Sequence, residues 1–208
     1  METMEAIRGR RTIRRFSDER IPEETLEEII EAGFKAPSND HLRKWEVVVV
    51  RDAATKDDLV RTISNSRTAD DAVRIVSGSG MSDEDQKNMY LDAIPLQHRM
   101  LVCSSALVLP FFFQPKDLLR PAELSDLNYF ASIWCFIENV LIAASDRSVY
   151  GVTRIPTEEE RAYVKERVGA PAEYDFPCYL SLGYESQAAT AFKQKRIDYK
   201  DHIHVDRW

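Results

Sequence analysis

Nowhere in this 208-residue chain is there a Gly-x-Gly-x-x-Gly, Gly-x-x-x-x-Gly-Lys, Gly-x-Ser-x-Gly or His-Glu-x-x-His. That removes the sequence grounds for a dinucleotide fold of its own, a P-loop, a hydrolase nucleophile elbow or a zinc-protease helix. Cysteine is scarce: Cys103, Cys135 and Cys178 are odd in number, lack C-x-x-C spacing and sit beside apolar residues. They read as buried, reduced thiols rather than a disulfide framework or metal centre. Positive charge is in deficit, with 28 Lys and Arg against 35 Asp and Glu, a net charge of −7 and a pI near 5.2. A polyanion or anionic membrane needs counterions replaced by a basic surface, so general nucleic-acid or membrane binding is excluded. The most hydrophobic stretch, Tyr129 to Ala144, is broken by Glu138 and Asn139, short of the roughly 18 apolar residues of a bilayer span. It reads as a helix buried in a core or shared with a subunit interface. The start, Glu2 to Arg10, is charged and lacks the apolar centre of a signal peptide, so a cytoplasmic location is expected.

Composition and length fit one domain over residues 1–208, 44% hydrophobic and 30% charged. Pro22 and acids in the first turn open a helix from Ile21 to about Lys35, with Leu26, Ile29, Ile30 and Gly33 on one face. Ala36 to Asp40 stops it, and Trp45 to Val50 is a β-branched run of the kind that forms a buried strand. A helix is expected over about Thr55 to Ser64. Residues 65–85, with Gly78 and Gly80 and no sustained period, read as a lid or surface insertion. A helix bent at Pro95 lies within Asp83 to Cys103, a strand at Ala106 to Phe113, and a long helix over roughly Ala122 to Asp146. Thr157-Glu158-Glu159-Glu160 is a capping-box pattern for a helix ending at Val168 before Gly169 and Pro171. Phe176 to Tyr184 reads as a strand, and residues 190–208 as an extended arm.

Five of the eight residues from Arg8 to Arg15 are arginine, in a chain that is otherwise acidic. Concentrated guanidinium without net basicity suits one small, multiply charged anion, because each guanidinium grips phosphate oxygens through two parallel hydrogen bonds. A solvated turn paired with Asp18, Glu19, Glu23 and Glu24 is the other reading of these residues alone.

Three segments in order, Arg10 to Phe16, Ala36-Pro37-Ser38-Asn39 through Trp45, and the late pair Lys195-Arg196, resemble the nitroreductase family of flavoproteins. The resemblance implies an α+β fold with a central mixed or antiparallel sheet flanked by helices, FMN as cofactor, NADH or NADPH as electron donor, and a homodimer. It assigns the ribityl phosphate and the pyrimidine side of FMN to Arg10, Arg11, Thr12 and Arg14 with Lys195 and Arg196. Pro37, Ser38, Asn39 and His41 then lie against the partner's flavin. Gly151, Val152, Thr153, Arg154 and Ile155 occupy the segment that passes the flavin ring. The chain departs from the family pattern at two places. His41, Arg43 and Lys44 stand where Asn, Gln and Pro are usual, which changes shape and charge over the ring edge. Ser148 and Tyr150 replace small residues of a Gly-Leu-Gly turn, leaving Gly151. His41 reads equally as a loop histidine, and Tyr150 equally as packing.

The implied activity is hydride transfer from the nicotinamide through flavin to a small acceptor such as a nitroaromatic, quinone or activated alkene. No catalytic side chain is assigned, since the cofactor carries the chemistry and the protein orients it. Other outcomes on the same cofactor, reductive dehalogenation, flavin breakdown or flavin storage without catalysis, stay open. His202 and His204 alternate with Ile203 and Val205 on the arm and are read as surface histidines, with no metal.

Overall fold

The computed structural model describes residues 2–190, 192 and 197–208. Its centre is a five-stranded sheet: β1 (Trp45–Val50), β2 (Ala106–Phe113), β3 (Tyr150–Arg154), β4 (Tyr174–Asp175) and β5 (Tyr179–Gly183). The strands run in the order β1-β2-β5-β3, with β4 beside the far end of β2, and every strand pair is antiparallel. β2, the longest strand, is buried on both faces and apolar at successive positions, whereas β1, expected as a buried strand, lies at the sheet edge with only Trp45 and Val50 buried. The expected strand at Phe176 to Tyr184 is shorter, with β4 set apart from β5 around Pro177, which has no N–H to give to a ladder.

Helices cover both faces. On one, α2 (Glu23–Phe34) crosses α7 (Asn128–Asp146) over a core built on Ile29, Phe112, Phe136, Val140 and Leu180. Gly33 sets their closeness: a Cβ there would lie 2.6 Å from the Phe136 ring and 2.7 Å from Val140. Helix α1 (Thr3–Gly9) also lies on α7. On the other face α3 (Ala53–Leu59), α6 (Arg99–Val102) and α8 (Glu158–Val168) enclose Leu59, Met100, Leu107, Val152 and Val164.

The stretch from Leu124 to Asp146, α7 and the turn before it, is long and apolar enough to cross a bilayer by length and composition. Here it is the central packing helix, carrying Glu138 at mid-length, but only 33% of its most apolar window is buried within one chain. Ala131, Cys135 and Glu138 stand exposed along one side, with Phe130, Trp134, Leu141 and Ile142 half-buried around them. Cys103 is exposed as well, so of the three thiols only Cys178 is buried as expected. The apolar neighbours of Cys135 mark a face that the chain's own core does not reach.

Residues 65–85 are not structureless. They contain α4 (Ala69–Gly78), which packs on α5 (Glu84–Ala93) and the following turn over a small core of Ala72, Val76 and Ile94 with Leu91. Thr68 and Asp71 form a reciprocal capping box at its start. The helix escaped sequence reading because only two of its positions are buried, too few to establish a period.

Candidate functional site

The arginine turn is laid against the outer edge of β3. Thr12 bridges Gly151, the Ile13 N–H donates to the Gly151 carbonyl at 3.3 Å, and Phe16 bridges Glu185 beyond β5. The turn is therefore fixed by backbone pairing, which leaves its guanidiniums free to differ in their partners. Two of the expected segments, Arg10 to Arg14 and Gly151 to Ile155, are brought together in one chain.

The guanidiniums are not equivalent. Arg11 pairs with Glu185 and lies over the Tyr150 ring at 4.5 Å. Arg15 pairs with Asp92 of α5 at 2.5 Å. Arg10 faces Glu138 of α7 across 3.5 Å. Among the described residues Arg14 reaches only the Met89 sulfur, at 3.2 Å, and its buried Nε has no hydrogen-bond partner. Burial pulls the Arg14 guanidinium below its ordinary range, opposed by Asp92 and Tyr90 and assisted by Arg15. A half-buried cation with an unmet buried donor is a costly arrangement that an anion would relieve.

β3 supplies the floor. Val152 is buried in the core, while Thr153 and Arg154 are half-buried and Ile155 exposed. Gly151 has a packing reason: a Cβ there would come within 2.8 Å of Leu141 and 3.0 Å of the Ser181 carbonyl. The Arg154 guanidinium is committed inside the chain, held by both carboxylate oxygens of Glu160 at 2.6 and 2.8 Å and by Gln97 Oε1 at 3.0 Å. What Arg154 offers a ligand is its backbone. Burial pushes the Glu160 carboxyl up, but hydrogen bonds from Arg154, the Thr157 N–H and the Arg154 charge together hold it below the ordinary range. Gln97 and Asp92 thus root the α4–α5 excursion beside the arginine turn.

The Pro37–His41 loop is anchored elsewhere. The Asn39 N–H donates to Ser132 Oγ at 2.9 Å, and Asn128 donates to Asn39 Oδ1 at 3.3 Å, both near the start of α7. Arg10 and Gly9, by contrast, lie against Glu138 and Ser145. At 1.5 Å per residue, Ser132 lies about 9 Å from Glu138 and about 20 Å from Ser145 along the helix. One chain does not bring this loop to its own arginine turn. Lys195 and Arg196 lie outside the described residues.

Sequence reasoning missed Glu138, Met89, Asp92 and Glu185 as neighbours of the turn. Only Glu138 left a signal, as the charge that interrupts an otherwise apolar helix. Among the described residues no group of His, Cys, Asp or Glu could hold a metal ion.

A family model described as Nitroreductase family matches residues 7–184. A 4-nitrobenzoate reductase from Nocardioides sp. (strain LMS-CY) is 24% identical over 203 residues, spanning 89% of this chain and 81% of the relative. An NADH dehydrogenase from Thermus thermophilus is 46% identical over 56 residues, so the match spans about a quarter of either protein, 27% of each. Among solved structures, iodotyrosine deiodinase bound to FMN and 3-iodo-L-tyrosine superposes with a TM-score of 0.73 at 16% identity, covering 100% of both chains. This likeness establishes the nitroreductase-like α+β fold.

Proposed function

We propose that this chain, which belongs to the nitroreductase family, is an FMN-dependent oxidoreductase working as a homodimer between NADH or NADPH and a small acceptor. The observation that carries the reading is Arg14, a half-buried guanidinium whose buried Nε has no partner among the described residues, held on the β3 edge where the family's first flavin segment lies. The donor set fits a phosphate-bearing, electron-accepting ring. Arg10 and Arg14, with Thr12 and the late pair Lys195 and Arg196, would hold the phosphate and the pyrimidine side. Arg11 would act through Tyr150, which it stacks upon. The backbone of Gly151 to Ile155 would border the ring. FMN, when bound, supplies hydride acceptance and donation, for which this chain needs no acid–base pair of its own.

The dimer follows from α7. An exposed stripe of Ala131, Cys135 and Glu138 with half-buried Trp134 and Leu141 is too apolar to face water along a whole helix. If two copies pack this stripe antiparallel about a dyad near Cys135, the Ser132 end of one helix meets the Glu138 to Ser145 end of the other. Pro37, Ser38, Asn39 and His41 of one subunit then reach the arginine turn of its partner, which its own chain does not bring to them. The α4–α5 hairpin, rooted by Asp92 and Gln97, stands as a wall of the acceptor space within a single domain of 1–208, in a soluble protein placed in the cytoplasm. Acceptors are nitroaromatics, quinones or activated alkenes; reductive dehalogenation is the second reading, favoured by the superposition on the deiodinase. The test is whether the purified protein carries FMN that NADH or NADPH bleaches in the absence of oxygen, and whether a nitroaromatic restores the colour.

A further inference from the structure

The loop after α2 is strained at one residue more than its chemistry explains. Asp40, His41 and Arg43 all adopt positive φ, at 55°, 54° and 44°. Asp and His enter this region several-fold more readily than most side chains, whereas a long unbranched cation such as Arg has no local reason to be there. Glycine or asparagine would occupy it at less cost. The strained turn persists because Ser38 over-determines it: its carbonyl accepts from the His41 N–H at 3.2 Å and its Oγ from the Arg43 N–H at 3.1 Å. Next along the chain, the Trp45 N–H donates to the Arg43 carbonyl at 2.7 Å.

The strain buys no internal contact. The Arg43 and His41 side chains are exposed and make no hydrogen bond or ion pair among the described residues. Their neighbours are otherwise engaged: the Asp40 carboxylate accepts from the Asn39 side-chain amide at 2.7 Å, and Lys44 lies 4.1 Å over the Phe113 ring. A strained backbone that delivers a free guanidinium, with an imidazole two residues away, is the pattern of a binding element rather than a packing one.

We propose that Arg43, with His41 beside it, is an anion-recognition element at the rim of the acceptor space, favouring acceptors that carry a fixed negative charge such as an aryl carboxylate. The inference rests on the reading that this loop lies over the partner's flavin. Arg43 then meets the outer edge of a ring stacked on that flavin, and a carboxylate there accepts the guanidinium's paired N–H groups.

The experiment compares 4-nitrobenzoate with neutral 4-nitrobenzamide as acceptors for the flavin-loaded enzyme, for wild type, Arg43→Gln and Arg43→Gly. The ratio of the two kcat/KM values is expected to fall about tenfold in both variants, through the KM for the benzoate, and to lose its sensitivity to salt. Arg43→Gly should also raise Tm, since it relieves the positive φ, so weaker recognition comes with a more stable fold. A ratio unchanged within twofold in an active, flavin-loaded enzyme overturns this inference alone. So does a change confined to the NADPH-to-NADH preference, which would mean that Arg43 reads the donor's phosphate. A wild-type protein without bound flavin overturns the functional reading itself, and this inference with it.

Discussion

Replacing Glu160 by Gln separates charge from shape at the joint that fixes the end of β3. The carboxylate side chain is 7% exposed and its partner Arg154 13% exposed, with two hydrogen bonds between them and a third from Thr157 N at 2.9 Å. Gln can keep one or two of these bonds but leaves the Arg154 guanidinium without a counter-charge. Removing one member of a buried pair costs about 3 kcal/mol, because the remaining charge stays desolvated. For a chain of this size that corresponds to a fall in Tm of roughly 6–12 °C. The pH dependence has a definite sign. Glu160 titrates below its ordinary value in the folded chain, so its contribution is complete above about pH 4.3 and fades as pH falls through the depressed folded value. Thermal unfolding followed by circular dichroism between pH 3 and pH 8 should show the wild type losing stability towards acid more steeply than Glu160→Gln. The double variant Arg154→Met, Glu160→Met should recover most of the loss, since two apolar side chains carry no stranded charge. A single variant melting within 2 °C of wild type at pH 7, or a double variant worse than the single, would refute the reasoning.

Arg14→Ala should weaken FMN retention by about 10- to 150-fold, the loss of one charge-assisted contact, with the fold intact, as read by flavin released on dilution; full retention would remove Arg14 from the phosphate site. A dyad near Cys135 predicts that a short bis-maleimide links two subunits through that thiol, so Cys135→Ser should abolish the cross-link and Cys103→Ser should leave it. A flavin-loaded monomer in sedimentation at micromolar concentration would contradict the shared site.

Where a segment's own residues decided its structure, the sequence was legible. β1 and β2 fall where their apolar runs begin and end, and α8 starts at its capping box and stops at Gly169, which takes the left-handed φ of 68°. The nitroreductase fold, too, was readable from three short segments in order. What stayed hidden depends on distant partners. Nothing in Arg10 to Arg15 says that Arg11 and Arg15 are neutralised by Glu185 and Asp92 while Arg14 is left with an unmet donor. Arg154 looked like a ring contact by position, yet its guanidinium is taken by a glutamate that also caps α8. Cys135 looked buried because its neighbours are apolar, and those neighbours form a face that the chain's own core leaves uncovered.

The central claim is that this chain holds FMN and uses it to pass electrons from a nicotinamide. Anaerobic titration of the purified protein, followed by its visible spectrum, tests that most directly. The expected result is a flavin spectrum near one FMN per chain, bleached by about one equivalent of NADH or NADPH and restored by a nitroaromatic. A protein that purifies without flavin and takes none up, or one whose flavin neither nicotinamide bleaches, would contradict it.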